Sequence, residues 1–154
     1  VNVLRSSGIL MHISSLSSPY GIGTMGRSAR EFVDFLVEAG QKYWQILPVC
    51  PTSYGDSPYQ SFSTFAGNPY FIDFEKLEAD GLLYRAEYAE VDWESTPDRV
   101  NYGALYEKCY PILQIAANRF LKNPPKKFGE FCKENSFWLD DYALFMAFKQ
   151  LKNM

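Results

Sequence analysis

The 154 residues include fifteen Lys and Arg, eighteen Asp and Glu and a single His, for a formal charge of −3, and 47% are hydrophobic. That length suits one ordinary domain, and no apolar run approaches the roughly 20 residues needed to span a bilayer. The basic residues are scattered, with no stripe to neutralise a phosphate backbone, which argues against a nucleic-acid partner. Val1–Met11 lacks the basic n-region and long apolar stretch of a secretory signal. The three cysteines, Cys50, Cys109 and Cys132, are odd in number and far apart. They fit neither a disulfide framework nor a zinc site, so the expectation is reduced thiols in a cytoplasmic protein with no metal or cofactor. Aromatics make up 17% of the chain, with 11 Tyr. Tyrosine pairs a flat apolar face with a hydroxyl, so this abundance serves either a half-wet binding surface or a generous core.

In chain order, the first half predicts a βαβ unit within an α/β fold. The apolar run 8–13 reads as a strand buried on both faces. The Ser/Gly/Pro-rich stretch 14–26 is a loop. A helix follows, with Ser28 as its cap, Glu31 completing a capping box and Gly40 as its stop. Phe32, Phe35, Leu36 and Ala39 recur at helical spacing. Residues 43–49 then predict a second buried strand whose Pro48 belongs at its end. Two parallel strands joined by a helix are the unit of a larger sheet, because two strands do not make a stable sheet alone.

Cys50–Pro69 is a long Pro/Ser/Gly/Tyr loop with no period, followed by the short run 70–73. The remainder is helical. Leu105, Cys109, Ile112, Ala116 and Phe120 share one face of a helix that Pro111 is expected to kink or split. Asn123–Lys127 reads as a breaker and linker. From a capping Ser136, apolar residues then cover nearly the whole circumference of a helix reaching Leu151. A helix of that kind needs partners on several sides. The sequence offers none after it, so the expectation is an incomplete chain whose remaining polypeptide packs on 136–151.

The segment Tyr54–Tyr70 mixes hydroxyls, the carboxylate of Asp56, the carboxamide of Gln60 and several aromatic rings directly after a parallel strand. Ligand sites of α/β folds gather beyond the C-terminal ends of such strands. Sugars need this mixture, since pyranose C–H faces stack on rings while their hydroxyls require fixed donors and acceptors. The alternative is a packed loop whose Ser and Asp side chains bond their own backbone in turns.

The run S-Y-G-D-S-P-Y-Q-S-F-S-T-F-A-G-N-P-Y-F-I-D resembles the signature of the amylomaltase, or 4-α-glucanotransferase, family. It is accompanied by G-I-L-M-H-I-S-S-L-S-S-P-Y-G-I-G, K-Y-W-Q-I-L-P and W-L-D-D-Y-A-L-F-M-A in the family's order. The resemblance implies the N-terminal portion of a (β/α)8 barrel over residues 1–75: its first two strands, their crossover helix and substrate loop 50–70. Residues 76–154 would be a mainly helical inserted subdomain. It implies retaining transfer of α-1,4-glucan segments between maltooligosaccharides. Tyr59 would stack on the glucose at the scissile bond, with Asp56, Ser57 and Gln60 lining or bracing the site. Tyr54 and Tyr102 resemble a pair holding glucan at a secondary groove, where Asn101 replaces the family's frequent Asp. His12 stands at a strand end in H-x-x-S-L, either as hydrogen-bonded support, the favoured reading, or as a general base.

Retaining transfer requires two carboxyl groups about 5–5.5 Å apart. Asp56, Asp73, Glu75 and Glu78 lie near the loop, but none stands in a strand-end context resembling the family's catalytic motifs. Asp140 and Asp141 are helix neighbours that diverge by about 100°, and read as charges complementing a helix N-terminus. The resemblance places the catalytic residues beyond this chain, which is expected to be inactive alone. The competing readings are a non-catalytic carbohydrate-binding protein and a helical interaction domain.

Overall fold

Why the chain turns where it does is set largely by a few polar side chains and glycines, visible in a computed structural model that describes residues 5–152. Residues 1–4 of the stretch read above for a targeting signal lie outside the described residues. Strand β1, Gly8–Leu10, pairs in parallel with β2, Tyr43–Gln45, in the register Gly8↔Tyr43, Ile9↔Trp44 and Leu10↔Gln45. Helix α1, Arg27–Glu38, connects them. The βαβ unit of an α/β fold is thus present.

The strands are shorter than the 8–13 and 43–49 expected. Met11 N–H still donates to Gln45 O, but Ile13–Ser15 winds into a 3-10 turn that ends the pairing. Nor are the strands buried on both faces. Ile9 and Trp44 are half-buried, with Phe32 of α1 edge-on to Trp44 at 5.0 Å, whereas Leu10 and Tyr43 are exposed. One helix covers one face of a two-stranded sheet, and no described residue covers the other.

The cap position of α1 is Gly26, not Ser28, and no side chain caps the helix. A Cβ on Gly26 would fall 1.6 Å from Asp73 Oδ2, so the chain crosses Asp73 here and enters the helix two residues early. Ser28 is then inside the first turn, and Glu31 binds Arg27 Nε at 2.6 Å instead of closing a capping box. The stop at Gly40 (φ +68°) holds: Gly40 N–H reaches Val37 O and Gln41 N–H reaches Leu36 O, which closes the helix end.

Asp73 also starts the next element. Its Oδ1 accepts the Lys76 N–H at the head of α2, Phe74–Ala79, while its Oδ2 accepts from Thr24 Oγ1. Helix α3, Tyr102–Phe120, is capped by Asn101 and is not split by Pro111. Pro111 and Glu107, whose carbonyl loses its donor, both lie on the exposed side, so the missing bond falls where water can compensate. The expected apolar face is confirmed, with Leu105, Cys109, Ile112 and Ala116 buried.

The expected linker 123–127 gives way at Lys126 to a helix, α4 (Lys126–Glu134), two residues before the linker was expected to end. Helix α5 spans Ser136–Leu151, with Asn135 at its cap position and Ser136 Oγ donating back to Lys133 O, so Ser136 is not the cap. Asp140 and Asp141 lie past its first turn, too far along to serve the helix terminus. No residue of α5 is buried.

The core draws on both sides of residue 75. Ile13, Leu16, Tyr20 and Ile22 pack with Tyr70, Phe71 and Phe74, and these with Leu83, Tyr88, Trp93 and the buried face of α3. Tyr20 and Tyr88 remain satisfied by donating their hydroxyls to Glu75 and Glu78. Glu87 and Arg119 form a two-pronged pair at 2.6 and 2.7 Å that ties α3 to the preceding turns. No helix among the described residues is long and apolar enough to cross a membrane.

Candidate functional site

The loop after β2 is shaped by backbone bonds at its base and its neck. Asn68 N–H donates to Val49 O at 2.8 Å, closing the base. Thr52 and Ser61 form an antiparallel bridge, and Ser53 N–H donates to Gln60 O at 3.1 Å. The tip between them turns at Gly55 (φ +95°) and Asp56 (φ +55°). The left-handed region suits Gly, and Asp is among the few other residues that enter it readily. Asp56 N–H donates to Ser53 O, which fixes the turn and points the chain back on itself.

This fold brings three of the singled-out residues to one cleft. His12, Asp56 and Tyr102 line a cavity of about 140 Å³ together with Ser14, Thr52 and Asn68. His12 is held by two neighbours. Its Nδ1 accepts the Leu47 N–H at 3.2 Å, and its ring meets Phe71 edge-on at 5.4 Å. Burial lowers its pKa below the ordinary 6.5, so the ring is neutral near pH 7. With Nδ1 accepting, the proton of that neutral ring sits on Nε2. Burial pushes the Asp56 carboxyl above its ordinary value. The Tyr102 phenol is raised too, first by burial and then by the nearby Asp56 charge.

The other singled-out residues stand outside the cleft. Tyr59 is 74% exposed and Tyr54 99% exposed, both on the tip, and Gln60 is exposed at the neck. Ser57 is half-buried, with its Oγ accepting the Tyr59 N–H at 3.3 Å and its carbonyl accepting the Gln60 N–H. Ser57 therefore braces the turn that presents Tyr59. Tyr102 sits in the cleft wall at the start of α3, and Tyr54 projects from the tip.

Sequence reasoning missed Ser14, Thr52 and Asn68 in this lining. Asn68 carries a signal, since Asn before Pro favours a turn. Its Oδ1 caps the 3-10 turn Pro69–Phe71 by accepting the Tyr70 N–H. The remaining acids beside the loop are engaged elsewhere. Asp73 caps α2, and Glu75 and Glu78 accept from Tyr20 and Tyr88. Asp56 is the one carboxylate lining the cleft among the described residues. The described residues contain no group of three His, Cys, Asp or Glu placed to hold a metal ion.

The 4-alpha-glucanotransferase family profile matches residues 11–154. The chain belongs to that family. A 4-alpha-glucanotransferase of Clostridium butyricum is 53% identical over 139 residues, covering 90% of this chain and 28% of the relative. One from Streptococcus pneumoniae serotype 4 is 50% identical over 147 residues, covering 95% and 29%. Among solved structures, an amylomaltase from Streptococcus agalactiae in complex with acarbose superposes with a TM-score of 0.91 at 48% identity. That match covers 96% of this chain and 30% of the amylomaltase. The chain thus spans about three-tenths of the length of its 4-alpha-glucanotransferase relatives.

Proposed function

We propose that this chain carries glucan-recognition machinery of a 4-α-glucanotransferase, which moves α-1,4-glucan segments between maltooligosaccharides by retaining double displacement. One observation carries the reading: a tip that presents Tyr59 beside a cleft lined by His12, Asp56 and Tyr102, in a member of this family. Tyr59 offers its exposed ring to a pyranose face. Asp56 takes sugar hydroxyls as an acceptor, and His12 donates from Nε2 as hydrogen-bonding support. Ser57 and Gln60 brace the tip, and Tyr54 together with Tyr102 contributes to a second glucan contact.

Double displacement needs a carboxylate nucleophile and a carboxylic acid/base about 5–5.5 Å apart. The cleft brings one carboxylate, Asp56, so the reacting pair belongs to the part of the family's polypeptide outside this chain. Residues 1–75 then begin a (β/α)8 barrel and 76–154 form its inserted helical subdomain. The remaining polypeptide packs on residues 136–151. The superposition on an amylomaltase bound to acarbose supports a glucan-like ligand. Three free thiols among the described residues suit a reducing compartment, the cytoplasm.

The experiment is a maltotriose titration of this chain followed by NMR. Shifts confined to residues 12–14, 54–60 and 102 are expected, and Tyr59→Ala should weaken the affinity about tenfold, the range of one lost aromatic stack. Titration without shifts in those residues, or with Tyr59→Ala unaffected, would remove the reading.

A further inference from the structure

We propose that α5 is a clamp on the glucan-binding loop, with Trp138 and Phe145 as the positioning residues. Internal bonds fix the shape of the tip, but Tyr54 and Tyr59 are 99% and 74% exposed and their rings do not anchor it, so its placement also depends on what grips the loop below the neck.

The foot of the loop, residues 61–66, is folded by serine turns. Ser61 Oγ donates to Ser63 O and accepts the Ser63 N–H, while Ser63 Oγ accepts from the N–H groups of Phe65 and Ala66. Between these turns Phe62 is 37% and Phe65 60% exposed, so the loop's own residues do not bury them fully. Both meet α5. Phe65 stacks on Trp138 with ring centres 5.7 Å apart and planes 22° apart, and is edge-on to Phe137 at 5.3 Å. Phe62 lies 5.6 Å from Phe145, with Lys149 Nζ above its ring at 3.8 Å.

Trp138, Tyr142, Phe145 and Lys149 recur at spacings of four, three and four, which places them in one stripe of the helix. The Trp138 ring is fixed in turn. Its Nε1–H donates to Asn135 Oδ1 at 3.0 Å, and Tyr142 packs beside it at 6.0 Å. An open cleft of about 440 Å³ runs between helix and foot, so the contact is a few ring pairs and not a broad packed interface. A small change in one ring is therefore transmitted to the neck, one residue from Phe62, and through it to Asp56 and Tyr59. The functional half of the proposal rests on the glucan reading of the tip; the mechanical half does not.

Hydrogen–deuterium exchange of the 154-residue chain tests the clamp. Trp138→Ala should accelerate exchange across residues 52–66 about tenfold, a loss of local opening energy on the scale of one good aromatic contact. It should also weaken maltotriose binding, and Trp138→Phe should restore both. Phe148→Ala, on the same helix with no ring contact to the loop, should change neither. If Trp138→Ala disturbs the whole chain, Phe65→Leu trims the same contact from the loop side and should give the same acceleration. Loop exchange that stays within about twofold of the parent in Trp138→Ala or Phe65→Leu overturns the clamp. So does equal acceleration by Phe148→Ala. Accelerated exchange in a chain whose parent gives no maltotriose shift upholds the clamp and defeats the glucan reading alone.

Discussion

Tyrosines serve different jobs in this chain, and only coordinates tell them apart. Tyr20, Tyr70 and Tyr88 are core residues, with the hydroxyls of the first and last committed to Glu75 and Glu78 at the core's edge, while Tyr54 and Tyr59 stand in solvent on the tip. Composition could not separate these cases, because the same side chain satisfies both environments. The family motif singled out Tyr59 and Asp56, and it placed His12 at a strand end. It could not show that Asp56 would share a cleft with His12 and Tyr102, since that depends on a left-handed turn at residue 56 and a helix 46 positions away. Opposite titration behaviour follows. The Asp56 carboxyl is raised in the fold, so its ionisation costs stability as pH rises through its folded value. Asp56→Asn should therefore melt higher than the parent at pH 7, with the difference vanishing below about pH 3. His12 is lowered, so its contribution is full above 6.5 and is lost as pH falls through its folded value. His12→Gln should flatten that acid slope. Thermal melts across pH 3 to 8, bracketing both ordinary values, check the pair, and parallel curves for parent and variants would count against both assignments.

At the scale of elements, helices were more legible than strands and starts less legible than stops. The buried face of α3 follows from periodicity alone, and the span of α5 from its apolar run, although the cap expected at Ser136 falls to Asn135. The strand ends did not, because the 3-10 turn at Ile13–Ser15 and the closure of the loop by Asn68 are tertiary events. The start of α1 was misplaced because a serine cap is a local signal, and it lost to a crossing of Gly26 over Asp73 that joins distant segments. Two glycines test this account of sterics. Gly26→Ala would drive a Cβ into the carboxylate that holds both Thr24 and Lys76, and should cost at least about 2 kcal/mol. Gly67→Ala meets nothing within 4 Å and should lie within about 0.5 kcal/mol of the parent. Denaturant unfolding measures both, and equal costs would show that crowding at the crossing is not what fixes α1.

The whole molecule exposes 11113 Å². A compact chain of 17.7 kDa would expose about 8,000 Å². Exposed apolar side chains gather in two places, the sides of α5 and the outer faces of β1, β2 and α1. Phe137, Leu144, Phe148 and Leu151 in the first, and Val37, Leu10 and Tyr43 in the second, are each more than half exposed. The all-round apolar pattern of residues 136–151 already announced the first surface. The second was hidden, because strands expected to be buried on both faces are covered on one. Patches of this extent bind other protein surface or dye. The chain should therefore enhance anilinonaphthalene sulfonate fluorescence. A monomer that leaves the dye dark would contradict the proposal that further polypeptide packs there.

On the function proposed above, this chain presents glucan to catalytic carboxylates located elsewhere in the family's polypeptide. The most direct measurement joins it to them, by substituting this chain for the matching stretch of the Clostridium butyricum relative and incubating the product with maltotriose. The expected result is glucose together with oligosaccharides longer than maltotriose, slowed about tenfold or more by Tyr59→Ala, and no turnover by the 154-residue chain alone. A folded chimera that yields only shorter sugars, or turnover by this chain unaided, would contradict the account.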